Sequence, residues 1–139
     1  MRWERTGKRD LTYSLWHRTL GDDVSMIDID SVEYCNRCLE PLALIETAID
    51  TGQHKYAYIT RRLAEKLGVP AFIVLYRLRG KKIVSFRVIM IYPEYWVQEF
   101  TPDQFGYYLT QLHLRHKCLL EKQVEKNNAK SLTNLSNLF

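Results

Sequence analysis

The chain has 139 residues, of which 46% are hydrophobic and 26% charged, and its formal net charge is +4. This length suffices for one domain with a buried core and is too short for two independent ones, and the composition argues against a disordered chain. The mildly basic balance permits nucleic-acid binding without demanding it. We expect residues 1–126 to form a single domain and residues 127–139 a polar C-terminal tail.

The sequence also argues against a membrane protein and a disulfide-stabilised secreted protein. No apolar run approaches the ~20 residues that a membrane helix needs, and the charged N-terminus lacks the apolar stretch of a signal peptide. Three cysteines are an odd number, which does not suit a disulfide framework. We therefore expect a cytoplasmic protein of a reducing compartment, with no membrane partner.

The first predicted elements are a short helix and two strands. Residues 12–20 favour a helix, which the following Gly-Asp-Asp ends. Residues 24–34 and 42–49 favour strands, and their short connection predicts an antiparallel hairpin. Because side chains alternate along a strand, Asp28 and Asp30 are predicted to share one face.

A helix and two further strands follow the hairpin. Residues 53–67 predict a helix that joins the second and third strands, so a crossover connection is expected. Residues 71–78 are almost continuously apolar, which predicts a central strand covered on both faces, and residues 83–92 predict a fourth strand. The predicted apolar stripe of the middle helix consists of Tyr56, Ile59, Leu63 and Leu67.

A last helix is predicted from a strong start signal. Thr101 can cap the helix, Pro102 suits its first turn, and Gln104 completes a capping box. We expect this helix to run to about residue 124, so that the element order is α-β-β-α-β-β-α and the fold class is α/β. Its predicted apolar stripe consists of Phe105, Tyr108, Leu109, Leu112, His116, Leu119 and Leu120.

Acidic residues on the predicted hairpin suggest a site for a hard metal ion. Asp28, Asp30 and Glu46 are candidate ligands of Mg²⁺ or Mn²⁺, because these cations prefer carboxylate oxygens completed by water and substrate phosphate. Such an ion can activate water and neutralise charge on a scissile phosphate. The alternative is that these carboxylates are simply solvated at the end of a half-exposed strand.

The stretch "MIDIDSVEY…PLALIE" has an acid on one strand, a hairpin, and a second acid near the end of an apolar strand that precedes a helix. This pattern resembles the PD-(D/E)XK nuclease superfamily, and residues 26–76 also resemble small proteins of actinobacterial phages. The resemblance implies a restriction-endonuclease-like αβββαβ core, with a mixed sheet flanked by helices, to which this chain adds a C-terminal helix. It implies a metal-dependent endonuclease of phage type that hydrolyses DNA in the host cytoplasm.

The resemblance also implies roles for individual residues. Asp30 and Glu46 match the acids, but Ala48 stands where the family has its lysine, two positions after the second acid. Some members supply the basic group from the following helix, which makes Lys55 the candidate here, and Gln53 resembles a helix glutamine found in many members. If Lys55 does not reach Glu46, we expect no nuclease activity.

Basic residues are the candidate contacts to a DNA backbone, and a solvated surface is the alternative for them. The candidates are Arg18, Arg61, Arg62 and Lys66.

The Cys-Asn-Arg-Cys of the hairpin loop has the spacing of zinc knuckles. A structural Zn²⁺ needs four ligands, so the two cysteines would need partners from the C-terminal helix. The candidate ligands are Cys35, Cys38, His113, His116 and Cys118. The alternative is that the cysteines are free thiols and His116 is a hydrogen-bonded core residue.

Two other classes of function remain open. One is a non-catalytic DNA- or protein-binding module on the same scaffold, with a zinc-stapled hairpin. The other is a structural or regulatory phage protein that forms a homodimer through its sheet edge or its C-terminal helix.

Overall fold

A computed structural model describes residues 10–116 and residue 118. This part of the chain is a mixed α/β structure built on one five-stranded sheet with the strand order β1-β2-β3-β4-β5. The strands β2 and β3 are parallel, and the other neighbours are antiparallel. The elements are α1 (Thr12–His17), a 3₁₀ turn (Arg18–Leu20), β1 (Ser31–Tyr34), β2 (Pro41–Ile49), α2 (Tyr58–Leu67), β3 (Ala71–Arg79), β4 (Lys82–Tyr92), β5 (Trp96–Phe100) and α3 (Pro102–Arg115).

Helices cover both faces of the sheet. On one face, Phe72 and Val88 pack against Phe105 of α3, and on the other, Leu44 and Ala71 pack against Ala64 of α2. Because neighbouring residues of β2 and β3 point to opposite faces, an unbroken apolar run is needed to fill both layers. The first five residues of β3 are all buried, as expected for a central strand.

The first strand is shorter than predicted, and this changes the setting of its acids. β1 comprises Ser31–Tyr34, so Asp28 and Asp30 precede it and do not share a strand face. The cause is a side-chain hydrogen bond: Thr47 N donates to Asp30 Oδ2 at 2.8 Å, just beyond the last backbone pair between Ser31 and Ile45. The Asp30 carboxylate thus takes the place of the next backbone partner of Thr47, and β1 begins only at Ser31.

The middle helix begins five residues later than residue 53, the start predicted from the sequence. α2 starts at Tyr58, and its buried residues are Thr60 and Ala64, whereas Ile59 and Leu63 of the predicted apolar stripe are exposed. Small side chains face the sheet because they let the helix approach it closely. The predicted helix end is confirmed, since Gly68 has φ of +71°, the left-handed conformation that glycine adopts readily.

The last helix starts as predicted and ends earlier. Thr101 Oγ1 accepts a hydrogen bond from Gln104 N, and Gln104 Oε1 accepts one from Thr101 N, which completes the capping box. The helix ends at Arg115, because His116 is extended and turns towards the hairpin, where its ring contacts Cys38. Leu119, Leu120 and the predicted tail lie outside the described residues. The strand β5, ahead of this helix, was not predicted.

Candidate functional site

Two carboxylates and one ammonium group converge at the edge between β2 and α2. Lys55 Nζ lies 3.8 Å from Asp30 Oδ2 and 4.0 Å from Glu46 Oε2. The three residues, here called the acid–lysine cluster, come from the segment before β1, from β2, and from the segment between β2 and α2. The structure therefore brings together Asp30, Glu46 and Lys55, three of the five residues that the sequence analysis and the family resemblance assigned to one site.

Glu46 is buried, which is unusual for a carboxylate. Its side chain is directed to the α2 side of the sheet, only 7% of the residue is exposed, and Thr60 Oγ1 donates a hydrogen bond to Oε1 at 2.8 Å. Burial raises the pKa of Glu46, and the adjacent Asp30 carboxyl raises it further, while the Thr60 hydrogen bond and the Lys55 charge lower it. The net shift is upward, because two acids share a poorly solvated place.

Lys55 is held so that its ammonium group bridges the acids. Its Nζ donates a hydrogen bond to Thr47 O at 3.1 Å, which leaves two of its three donor positions for other partners. The distances to Asp30 and Glu46 exceed those of direct hydrogen bonds. A water molecule or a substrate oxygen can therefore share this ammonium group with the acids.

A buried ion pair that the sequence analysis missed anchors the segment carrying Lys55. The Asp50 side chain is 2% exposed and accepts two hydrogen bonds from Arg87 of β4, from Nε at 3.2 Å and from NH2 at 2.9 Å. Arg87 also donates to Gln53 O at 3.2 Å, which ties the 50–53 turn to the sheet. Two signals were available in the sequence: Asp50 follows an apolar strand, and Arg87 lies inside another strand. Their pairing could not be predicted, because it depends on the order of the strands in the sheet.

The two remaining predicted acid-site residues are placed differently: Asp28 borders the cavity of Glu46 and Lys55, and Gln53 does not line it. Gln53 bridges its own turn, since its Oε1 accepts from Thr51 and its Nε2 donates to Ile49 O. Asp28 borders two cavities, one of about 300 Å³ that Glu46 and Lys55 also line, and one of about 290 Å³ that Arg18 lines.

The predicted basic contacts on α2 lie together on its exposed surface. They border a groove of about 620 Å³ that Tyr58 and Glu65 also line; the basic residues are Arg61, Arg62 and Lys66.

The second cluster consists of Cys35, Cys38, His116 and Cys118. Their four ligand atoms lie within 4.8 Å of one another, and this group could hold a metal ion. Cys35 Sγ is 3.8 Å from Cys118 Sγ, and Cys38 Sγ is 3.4 Å from His116 Nε2. Tetrahedral Zn²⁺ with standard Zn–S and Zn–N bonds gives S–S and S–N edges of about 3.8 and about 3.6 Å. The Cys35–Cys118 and Cys38–His116 distances fit such a site, and 3.8 Å is too long for a disulfide.

The hairpin loop positions two of these ligands, Cys35 and Cys38. Leu39 N donates to Cys35 O at 2.7 Å, Cys35 N donates to Glu40 O at 2.9 Å, and Leu39 has φ of +66°. This tight turn directs both cysteine side chains to the same side. We call the four residues Cys35, Cys38, His116 and Cys118 the cysteine–histidine cluster.

His113 does not belong to the cysteine–histidine cluster, which corrects the predicted ligand set. Its Nε2 lies 2.9 Å from Glu33 Oε1, so this ring pairs with a β1 carboxylate. The prediction assumed that the helix continued past residue 116, which would place His113 and His116 on one side. Because the helix ends at Arg115, the chain instead brings His116 and Cys118 to the hairpin.

Comparison of the chain with protein-family models, with curated proteins and with solved structures gives no significant match. None of the helices in residues 10–116 is long and apolar enough to cross a membrane.

Proposed function

We propose that the chain is a metal-dependent nuclease that hydrolyses DNA phosphodiesters, with the acid–lysine cluster as its active site. The observation that carries this proposal is the position of Lys55, whose Nζ lies 4.0 Å or less from a carboxylate oxygen of both Asp30 and Glu46. Lys55 thus supplies an ammonium group at the acids although Ala48 stands at the family's usual lysine position. The order of acid, hairpin, acid, helix and parallel strand supports a restriction-endonuclease-like core, although two strands, β1 and β2, precede α2 where the αβββαβ pattern has three.

The chemistry of the cluster fits Mg²⁺ or Mn²⁺. Asp30 and Glu46 present adjacent hard oxygen donors. Burial and the Asp30 carboxyl raise the pKa of Glu46, and a cation bound beside these acids would favour the ionised form. Asp28, on the rim of the same cavity, is a third candidate ligand. A bound ion would supply activation of water and neutralisation of charge on the phosphate.

The chain's own residues would orient the substrate in this reaction. The Lys55 ammonium group can donate hydrogen bonds to a phosphate oxygen and to the attacking water, because Thr47 O occupies only one of its donors. Arg61, Arg62 and Lys66 on α2 would hold the DNA backbone through charge. Water adds to phosphorus and the ester P–O bond breaks, which leaves a phosphate monoester and a free hydroxyl end.

The proposal is tested with plasmid, branched and single-stranded DNA, with and without added Mg²⁺ or Mn²⁺. We expect ion-dependent cleavage by the unaltered chain and a loss of about 100-fold or more in Asp30→Asn, Glu46→Gln and Lys55→Ala. Glu65→Gln on α2 and Lys82→Ala on β4, exposed changes outside the acid–lysine cluster, serve as matched controls that retain the cleavage step. Undiminished cleavage by the Asp30→Asn/Glu46→Gln double variant would overturn the site assignment.

A second readout does not depend on activity. Mn²⁺ should raise the melting temperature of the unaltered chain, because it binds the folded state, and should not raise that of the double variant. Absence of cleavage together with retained DNA binding would instead favour the alternative function, a DNA-binding module without catalysis. The exposed basic groove of α2 is the specific observation that supports this alternative.

For the cysteine–histidine cluster we propose a structural Zn²⁺. Three thiol sulfurs and one imidazole nitrogen form a closed set of four ligands, and no position remains for a substrate. Elemental analysis of the purified protein should find about one zinc per chain. A chelator would remove metal ions from both proposed sites and so would also affect the fold. The ion dependence of cleavage is therefore tested by adding Mn²⁺ to the purified protein.

A further inference from the structure

A cleft lined by tyrosines adjoins the acid–lysine cluster at Lys55. It has a volume of about 340 Å³ and an apolar floor formed by Ile73, Ile89 and Ile91. Its other lining residues are His54, Lys55, Tyr56, Ala57, Tyr58, Arg61 and Tyr95. We call it the tyrosine cleft.

The three tyrosines of the cleft are largely exposed to solvent. Tyr56, Tyr58 and Tyr95 are 72%, 69% and 72% exposed, although large aromatic side chains normally contribute to the core. The rings of Tyr56 and Tyr58 are parallel within 3°, with centroids 5.6 Å apart. The two tyrosines flank Ala57, the residue that precedes α2.

Positive groups stand beside these aromatic faces. Lys55 belongs both to the cleft and to the acid–lysine cluster, and Arg61 Nε donates to Ile91 O at 3.2 Å, which holds its guanidinium group beside the cleft. Exposed aromatic faces beside cations match a ligand that is itself an aromatic ring joined to a phosphate. A nucleotide with an unpaired base has this chemistry, because the base stacks while its phosphate meets the cations.

We infer that the tyrosine cleft binds an unpaired nucleobase of a single-stranded or locally opened DNA, and that this is the substrate class of the proposed nuclease. The inference depends on the proposed function only for the neighbouring cleavage step. Base binding is argued from the residues that line the cleft. A base in the cleft places the adjoining phosphate near Lys55, and so beside Asp30 and Glu46.

Binding of a fluorescently labelled oligothymidylate, measured without added Mg²⁺ or Mn²⁺, tests this inference. Tyr56→Ala, Tyr58→Ala and Tyr95→Ala should each weaken binding by about 5- to 140-fold, the range for loss of one stacked base. Tyr56→Phe should bind as the unaltered chain does, because stacking needs the ring and not the hydroxyl. Tyr107→Ala is the matched control, since Tyr107 is 68% exposed but lies on α3.

An abasic oligonucleotide of equal length separates base stacking from backbone attraction. It should bind more weakly than oligothymidylate, and the tyrosine substitutions should change its affinity little. Equal effects of the substitutions on both probes, or none on either, would overturn the inference. The inference would also be overturned if the three tyrosine substitutions weakened the binding of duplex DNA as strongly as that of the single strand.

The outcomes separate this inference from the proposed nuclease. Tyrosine-dependent binding without any cleavage supports the cleft and refutes the enzyme. Cleavage that needs Asp30 and Glu46 but is unchanged by the three tyrosine substitutions supports the enzyme and refutes the cleft.

Discussion

At the scale of single residues, the site depends on charges held where solvent reaches them poorly. Glu46 is tolerated in the core because Thr60 donates to it and Lys55 stands close by. Asp50 is buried by the same means, since it has two hydrogen bonds from Arg87 and one from Gly52 N at 2.9 Å. These two acids therefore do different tasks: Glu46 faces a cavity, while Asp50 fastens the turn that leads to Lys55.

Asp50 provides a prediction about pH. The Arg87 hydrogen bonds hold its pKa at about 2, below its ordinary value of 3.8. Because the folded state has the lower pKa, this carboxylate stabilises the fold above pH ~4 and loses its contribution, about 2 kcal/mol, as the pH falls towards 2. Asp50→Asn should lower the free energy of unfolding by about 2–3 kcal/mol at pH 7, and this difference should shrink near pH 2.5.

Urea denaturation of both proteins at the two pH values measures the effect. Asp22→Asn, in the exposed stretch before β1, is the control and should change stability little at either pH. A penalty for Asp50→Asn that is equal at both values would contradict the assignment of the low pKa to the Arg87 pair.

At the scale of elements, the approach of α2 to the sheet sets the depth at which Glu46 lies. Ala64 is fully buried against Leu44 and Ala71, so a small side chain defines the spacing between helix and strands. Ala64→Leu should overpack this contact and lower stability by about 1–3 kcal/mol. Glu65→Leu adds a similar side chain on the exposed side and should stay within about 0.5 kcal/mol of the unaltered chain. Thermal melts compare the two, and equal melting temperatures would mean that the helix contact is loose.

Local signals explain which elements could be predicted from the sequence. The capping box at Thr101, the glycine at residue 68 and the apolar run of β3 are encoded by neighbouring residues, and all three predictions are confirmed. The late start of β1 and the early end of α3 could not be predicted, because each depends on a distant partner. Asp30 meets Thr47 across the hairpin, and His116 meets Cys38 across 78 positions.

The candidate site was also predictable only where its residues are marked by local sequence signals. The acids could be recognised from their place beside apolar strands, and the cysteines from their spacing. Lys55 could be chosen only by resemblance, because the distance from residue 55 to Glu46 depends on the path of the chain after β2. The pairing of His113 with Glu33 was missed, since helical spacing alone favoured His113 as a metal ligand.

At the scale of the whole molecule, the cysteine–histidine cluster joins the hairpin at one sheet edge to the residues that follow α3. Removal of the proposed Zn²⁺ should therefore lower the melting temperature of the entire domain, since metal-binding energy contributes to folding. Cys118→Ser should lose the zinc and show the same lowered melting temperature. His113→Gln should keep the zinc, because His113 lies outside the cluster. Elemental analysis with calorimetry checks this, and a zinc-free protein of undiminished stability would refute it.

The same cluster has a topological consequence. Cys35 and Cys118 are 83 positions apart, yet their sulfurs are 3.8 Å from each other. With an ion bound, the chain between them becomes a closed ring that contains Glu46, Lys55, α2 and α3, whereas Asp30 lies outside it. Closing so long a ring removes much of the freedom of the unfolded chain. A single protease nick at the exposed Gly80 turn would then open the ring without separating its two pieces.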